Sequence, residues 1–242
     1  MNKYFLLFTC VFTIGMVGCK KDRDMVSSVQ PVSFPTISLL GASVTGVSIE
    51  DYYLESFDGT TAFVNGAPGQ QLAPTAYDSV LGESVAVVEY NNGGYDGNTP
   101  GLYIVDYSAR NRNGYFTLAR FYAAVTDVSP GVDLSGTYYG IIDGDTLAQE
   151  VEITKEATGL YQHSDITGDE TGLAGVFVHV NNNQIVFSPQ PDLSHMLSGT
   201  FSSSGGTVDT TGGQTVITYQ LVNDEINDIY GSGTVFRFVR QE

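Results

Sequence analysis

Apolar and polar positions along this chain alternate in short bursts separated by turn residues, and that rhythm predicts strands. The clearest burst spans residues 101–109. By the two-residue period, Tyr103, Val105, Tyr107 and Ala109 share one face, and Leu102, Ile104 and Asp106 share the other. Pro100-Gly101 opens the burst, Asn113-Gly114 supplies residues that tolerate positive φ, and residues 115–125 return, so this segment is predicted to be a hairpin. Further strand-like runs fall at 149–154, 160–163, 175–180, 184–187, 199–201 and 214–222, between an opening run at 133–139 and a closing one at 233–240. Asn181-Asn182-Asn183 and Ser204-Gly205-Gly206 read as turns between them. Beyond residue 17 no stretch carries the i, i+3, i+4, i+7 rhythm of an amphipathic helix, and the fold class predicted is all-β.

The N-terminal segments break this rhythm. Residues 4–17 form an apolar run behind Lys3, too short for a comfortable membrane span of about 20 residues but long enough for a signal h-region. Residues 20–32 carry charge, Ser and Pro without periodicity and read as a solvated tether. A Pro-Gly stretch at 126–133 marks a domain boundary. The organisation expected is a signal peptide at 1–18, a flexible tether at 19–32, a first β domain at 33–127 and a second at 132–242.

Charge narrows the partners. With 10 Lys+Arg against 27 Asp+Glu the net charge is −17, so phosphate backbones and anionic lipid surfaces repel the chain, and nucleic acid is excluded as a partner. Of the two cysteines, Cys10 lies inside the predicted signal and Cys19 at its end. No thiol follows Cys19 for a disulfide, a metal or a nucleophile, and the domains are expected to be stabilised by their own cores.

Met16-Val17-Gly18-Cys19 resembles the lipobox of bacterial lipoproteins, with Met16 a slight departure at the first position. The resemblance implies cleavage between Gly18 and Cys19 and diacylglycerol on the Cys19 thiol. Acyl chains contribute about 0.8 kcal/mol per buried methylene, so a multiply acylated cysteine is a stable anchor.

Thr99-Pro100-Gly101-Leu102-Tyr103-Ile104-Val105-Asp106-Tyr107-Ser108-Ala109, followed by Asn111 and Gly114, resembles the last two strands of bacterial Ig-like domains of the hyalin-repeat and cadherin-like kind. Ala73-Pro74-Thr75-Ala76-Tyr77-Asp78 resembles another segment of that family, with Thr75 where Gly is common. Over residues 33–127 this implies an Ig-like β-sandwich of about seven strands. In the second half, Leu134-Ser135-Gly136-Thr137-Tyr138, Ile153-Thr154-Lys155 to Gly159-Leu160-Tyr161, and Ser164-Asp165-Ile166 resemble the C-terminal domain of Bacteroidetes lipoproteins found near starch-utilisation-type glycan import systems. That domain is expected to be a small antiparallel barrel or sandwich. The resemblance implies a lipid-anchored outer-membrane protein, surface-exposed, with polysaccharide and importer components as partners. Lys20 and Lys21 directly after the cysteine leave a periplasm-facing placement open, because surface-export signals favour acidic residues there.

Chemical constellations are sparse. His163, His179 and His195 are widely separated and form no metal-binding pattern. Asp143-Gly144-Asp145 superficially suggests a calcium loop, but position 12 counted from Asp143 is Thr154, so a hairpin turn is the better reading. Asp165, Asp169 and Glu170, and Asp224, Glu225 and Asp228, are acidic clusters that read as solvated loops, with calcium as the rival reading. There is no Gly-x-Ser-x-Gly elbow, and the expectation is a non-catalytic protein with no catalytic residue, cofactor or metal. Tyrosines remain as ligand candidates, since a ring stacks on a sugar face while its hydroxyl hydrogen-bonds. Tyr95 and Tyr115 lie on loop-like segments, and one of Tyr138 and Tyr139 must face outward, which makes Tyr95, Tyr115 and Tyr139 the candidates. Two functions compete: a glycan-binding accessory lipoprotein, and a structural or protein-interaction subunit that spaces or docks an outer-membrane complex without binding sugar.

Overall fold

The computed structural model describes residues 31–45, 60–66, 69–142, 145–168, 172–181, 183–191, 200–222 and 234–241. The signal peptide, Gly18, Cys19, most of the tether, Asp143-Gly144, Asn182, Asp169, Glu170, His195, Asp224, Glu225 and Asp228 lie outside the described residues. Every regular element among the described residues is a strand.

The first half is built from β1 (Thr36–Leu39), β2 (Ala42–Thr45), β3 (Thr60–Gly66), β4 (Thr75–Asp78), β5 (Glu83–Val85), β6 (Val87–Asn91), β7 (Gly101–Arg110) and β8 (Phe116–Val125). They form two four-stranded sheets, ordered β2-β1-β4-β5 and β3-β8-β7-β6, with β3 parallel to β8. The sheets meet through one core, in which Ile37, Leu39, Val44 and Ala76 pack with Val64, Val105, Tyr107, Ala109, Ala119 and Phe121. The β7–β8 hairpin runs in unbroken register from Gly101↔Val125 to Arg110↔Phe116. Its turn differs from the expected one. Only Gly114 takes positive φ there, and Asn111 organises the loop, its Oδ1 accepting the N–H groups of Asn113 and Tyr115 at 3.0 Å each.

The second half comprises β9 (Gly136–Ile142), β10 (Asp145–Ala157), β11 (Leu160–His163), β12 (Gly175–Val180), β13 (Gln184–Val186), β14 (Gln190–Pro191), β15 (Thr200–Asp209), β16 (Val216–Val222) and β17 (Val235–Arg240). All pairings are antiparallel. The meander β9-β10-β11-β12-β13-β15-β16-β17 closes on itself through β17–β9, giving an eight-stranded barrel with β14 as a side strand on β15. Eight strands leave an interior that side chains just fill. Here Tyr138, Tyr161, Phe177, Phe187, Tyr219, Phe236 and Phe238 fill it, with Tyr219 stacked on Phe236 and Phe238 at 5.9 and 5.7 Å between centroids.

Ser204-Gly205-Gly206, expected as a turn, lies inside β15. The register there shifts between Ser203 and Gly206, which makes it a β-bulge. Gly206 faces inward beneath Ile185, where a Cβ would collide with the Ile185 side chain, so close approach rather than chain reversal explains the glycine.

Both faces of β7, β8 and β12 are buried. The face of β7 that carries Leu102 and Ile104, with Tyr122 and Ala124 beside it on β8, packs on Leu160, Val176, Val178 and Val180 of the barrel wall. On the same face Asp106 and Arg120 are register partners joined by two N–H···O bonds of 2.8 and 2.9 Å. The joining segment is pinned as well. Thr126 Oγ1 donates to the His179 carbonyl (2.6 Å), Asp127 Oδ1 accepts from Asn181 N–H (2.7 Å), and Lys155 Nζ donates to the Pro130 and Val132 carbonyls. Residues Ser33–Glu242 thus make one compact unit.

Candidate functional site

The three tyrosines singled out from the sequence do not converge. Tyr95 is half-buried, its ring edge-on to Tyr103 at 5.1 Å and its hydroxyl donating to the Gln70 carbonyl at 2.8 Å. Burial pushes its hydroxyl pKa up. Tyr115 sits at the other end of the hairpin, in the turn between β7 and β8, edge-on to Phe34 at 5.6 Å. Tyr139 is half-buried on the outside of the barrel between Glu150 and Val239, while Tyr138 points inward, as alternation requires, and donates to the Leu134 carbonyl at 2.6 Å.

The buried polar groups hold structure together. Asp78 accepts from Asn111 Nδ2 (2.7 Å), Ser33 Oγ (2.8 Å), and the N–H groups of Val80 and Leu81 (3.0 Å each). Burial opposes its ionisation, but these donors, Asn111 foremost, outweigh it and hold the carboxyl below its ordinary range. Asp78→Ala leaves four donors without their acceptor and is expected to lower unfolding free energy by about 2–3 kcal/mol, measured by urea titration at neutral pH. Loss below about 0.5 kcal/mol would show that water replaces the carboxylate.

Asp165, expected in a solvated acidic loop, is instead buried. Its Oδ1 accepts from Thr167 N–H and Oγ1 and from Gly168 N–H, and its Oδ2 from Gly172 N–H. Next to it His163 lies inside the barrel, edge-on to Phe238 at 4.6 Å, with Nδ1 accepting from Asp165 N–H at 3.3 Å. Burial pushes the imidazole pKa down to about 3, so the ring is neutral. Gln190 behaves as a surrogate strand residue: its side-chain amide accepts from Val176 N–H (2.7 Å) and donates to Val176 C=O (2.6 Å). Among the described residues no group of three or more His, Cys, Asp or Glu is placed to hold a metal ion.

A concave site lies elsewhere, on the outer wall of the barrel over the β15 bulge. This open groove of about 490 Å³ is lined by Gln184, Gly205, Thr207, Thr218, Gln220 and Val235, with Ile185, Gly206 and Tyr219 beneath it. Thr207 and Thr218 are register partners, as are Gln184 and Thr207. The two glycines were visible in the sequence, but they read as a turn. The site depends on strands β13, β15, β16 and β17 being brought side by side, which no local pattern announces.

No protein-family model matches the chain, and comparison with curated proteins finds no match. Among solved structures the chain is similar to the lipoprotein BT2262 from Bacteroides thetaiotaomicron, with 19% identity, a TM-score of 0.32, and coverage of 76% of this chain and 97% of that one.

Proposed function

We propose that this chain is a non-catalytic cell-envelope lipoprotein, anchored in the outer membrane through acylated Cys19, whose folded unit lies at the cell surface and helps capture a glycan for import. The observation that carries the glycan reading is the open groove on the barrel wall, whose lining offers amides, hydroxyls and small apolar edges and, among the described residues, no charged side chain. Its non-catalytic character is supported by where carboxylates are used: Asp78, Asp106 and Asp165 are engaged in structural hydrogen bonds or an ion pair. We read the N-terminal sandwich as an Ig-like module. Two observations support this: the Asn111-to-Asp78 bond joins the two sequence segments that resemble that family, and β3 lies parallel to the final sandwich strand β8.

A second reading, a rigid spacer or docking subunit, is favoured by the apolar seam that locks sandwich to barrel. Fatty-acid labelling is expected to be lost in Cys19→Ser, and labelling that persists overturns the anchor. Protease treatment of intact cells is expected to digest the protein, and protection would place it on the periplasmic side. Retardation in native gels containing a polysaccharide supports glycan capture, whereas co-purification with an outer-membrane complex without any retardation favours the spacer.

A further inference from the structure

We infer that the groove over the β15 bulge is the ligand site and that its ligand class is a neutral, hydroxyl-rich chain such as an uncharged polysaccharide, an inference that rests on the glycan-capture reading above. Charge argues first. The chain carries a net charge of −17, yet the described residues that line the groove include no Asp, Glu, Lys or Arg. An anionic ligand would meet long-range repulsion and no cation among the described lining residues, and a cationic one no carboxylate among them to pair with. Arg237, the register partner of Thr218 on β17, stands beside the groove but outside its lining.

The lining matches sugar hydroxyls, which both donate and accept. Gln184 and Gln220 bring amides and Thr207 and Thr218 bring hydroxyls, each able to do both. The Gln184 amide is oriented by Asn181 Nδ2, which donates to its Oε1 at 3.0 Å. Val186 and Val235 flank the groove and offer surface to the C–H faces of a ring.

The shape comes from the bulge. A Cβ at Gly205 would meet nothing within 4 Å, so the space over that residue is open. Below it Gly206 is locked under Ile185, and Tyr219 is held by the barrel core, which makes the floor rigid before any ligand arrives. A volume of about 490 Å³ lies within the common range for ligand sites, about 300–1,000 Å³.

The test uses the full chain in a nonionic detergent without a sugar headgroup, in affinity gels containing starch, dextran, mannan or a mixed-linkage β-glucan, and in parallel gels containing polygalacturonate or alginate. Retardation by at least one neutral polysaccharide is expected. Thr207→Glu, at an exposed strand position, places a charged side chain in the groove and is expected to weaken it at least tenfold with the thermal midpoint unchanged; Gln184→Ala is expected to weaken it several-fold. Tyr95→Ala, Tyr115→Ala and Tyr139→Ala are expected to leave it within twofold. Retardation that survives Thr207→Glu but is lost in a tyrosine variant overturns the groove while glycan capture stands. Retardation by the acidic polymers alone overturns the neutral class. No retardation by any polymer overturns both the groove and the capture reading.

Discussion

Val178→Asp is expected to lower unfolding free energy by about 3–5 kcal/mol and to do so for both halves of the unit at once. Val178 is fully buried in the seam where the barrel wall meets the outer face of the sandwich, among Leu102, Ile104, Leu160 and Tyr122. A carboxylate there loses its hydration, and the guanidinium on that face, Arg120, is already bonded to Asp106. Val178→Ala removes only methyl groups and is expected to cost about 2 kcal/mol, which separates the charge effect from the cavity effect. The measurement is urea unfolding followed by far-UV circular dichroism and tyrosine fluorescence. The wild-type chain is expected to give coincident transitions by both probes, because a seam of this kind couples the two cores. Two separated wild-type transitions would show that sandwich and barrel unfold independently and that the seam contributes little.

Acid is expected to destabilise the unit well before its carboxylates protonate. His163 has a folded-state pKa of about 3 because burial disfavours the imidazolium, whereas an unfolded histidine titrates near 6.5. Above about pH 6.5 the ring is neutral in both states and adds no pH dependence. As pH falls from 6.5 towards 3 the unfolded chain takes up a proton that the folded chain refuses, so stability falls by up to about 1.4 kcal/mol per pH unit from this residue. Asp78 acts in a lower window. Its pKa is below the ordinary carboxylate value in the folded state, so its contribution is intact at neutral pH and is lost only as pH falls below about 4. His163→Gln, which retains an acceptor for Asp165 N–H, is expected to flatten the dependence of unfolding free energy on pH between 6 and 4, whatever it does to stability at pH 7. An unchanged slope would overturn the assignment.

How far the fold was legible depended on whether a feature was local. Alternation in residues 101–109 places Val105, Tyr107 and Ala109 on one face, the one that lies in the sandwich core, and the pair Tyr138 and Tyr139 splits as a two-residue period demands. The same alternation says nothing of what covers Leu102 and Ile104. Their burial becomes readable only when β11 and β12 are laid against them, although the near-continuous apolar runs at 121–125 and 175–180 are the mark of strands buried on both sides. Tyr95 and Tyr115 read as accessible loop residues, yet each is half-buried against an aromatic ring outside the segment that suggests it, Tyr103 and Phe34 respectively.

By itself the sequence determined the all-β class, which residues of the clearest strand share a face, the acidic character of the chain, and the N-terminal pattern from Lys3 to Cys19 that points to a lipid anchor. These are properties of composition and of a two-residue period, and both are carried by neighbouring residues. Tertiary structure alone decided that the strands of the second half close into a filled barrel, that the sandwich docks on its wall, and that Gly205-Gly206 bends a strand instead of reversing it. Glycine tolerates a turn and a bulge equally well, so the choice fell to Ile185, a residue of another strand that packs where the missing side chain would be.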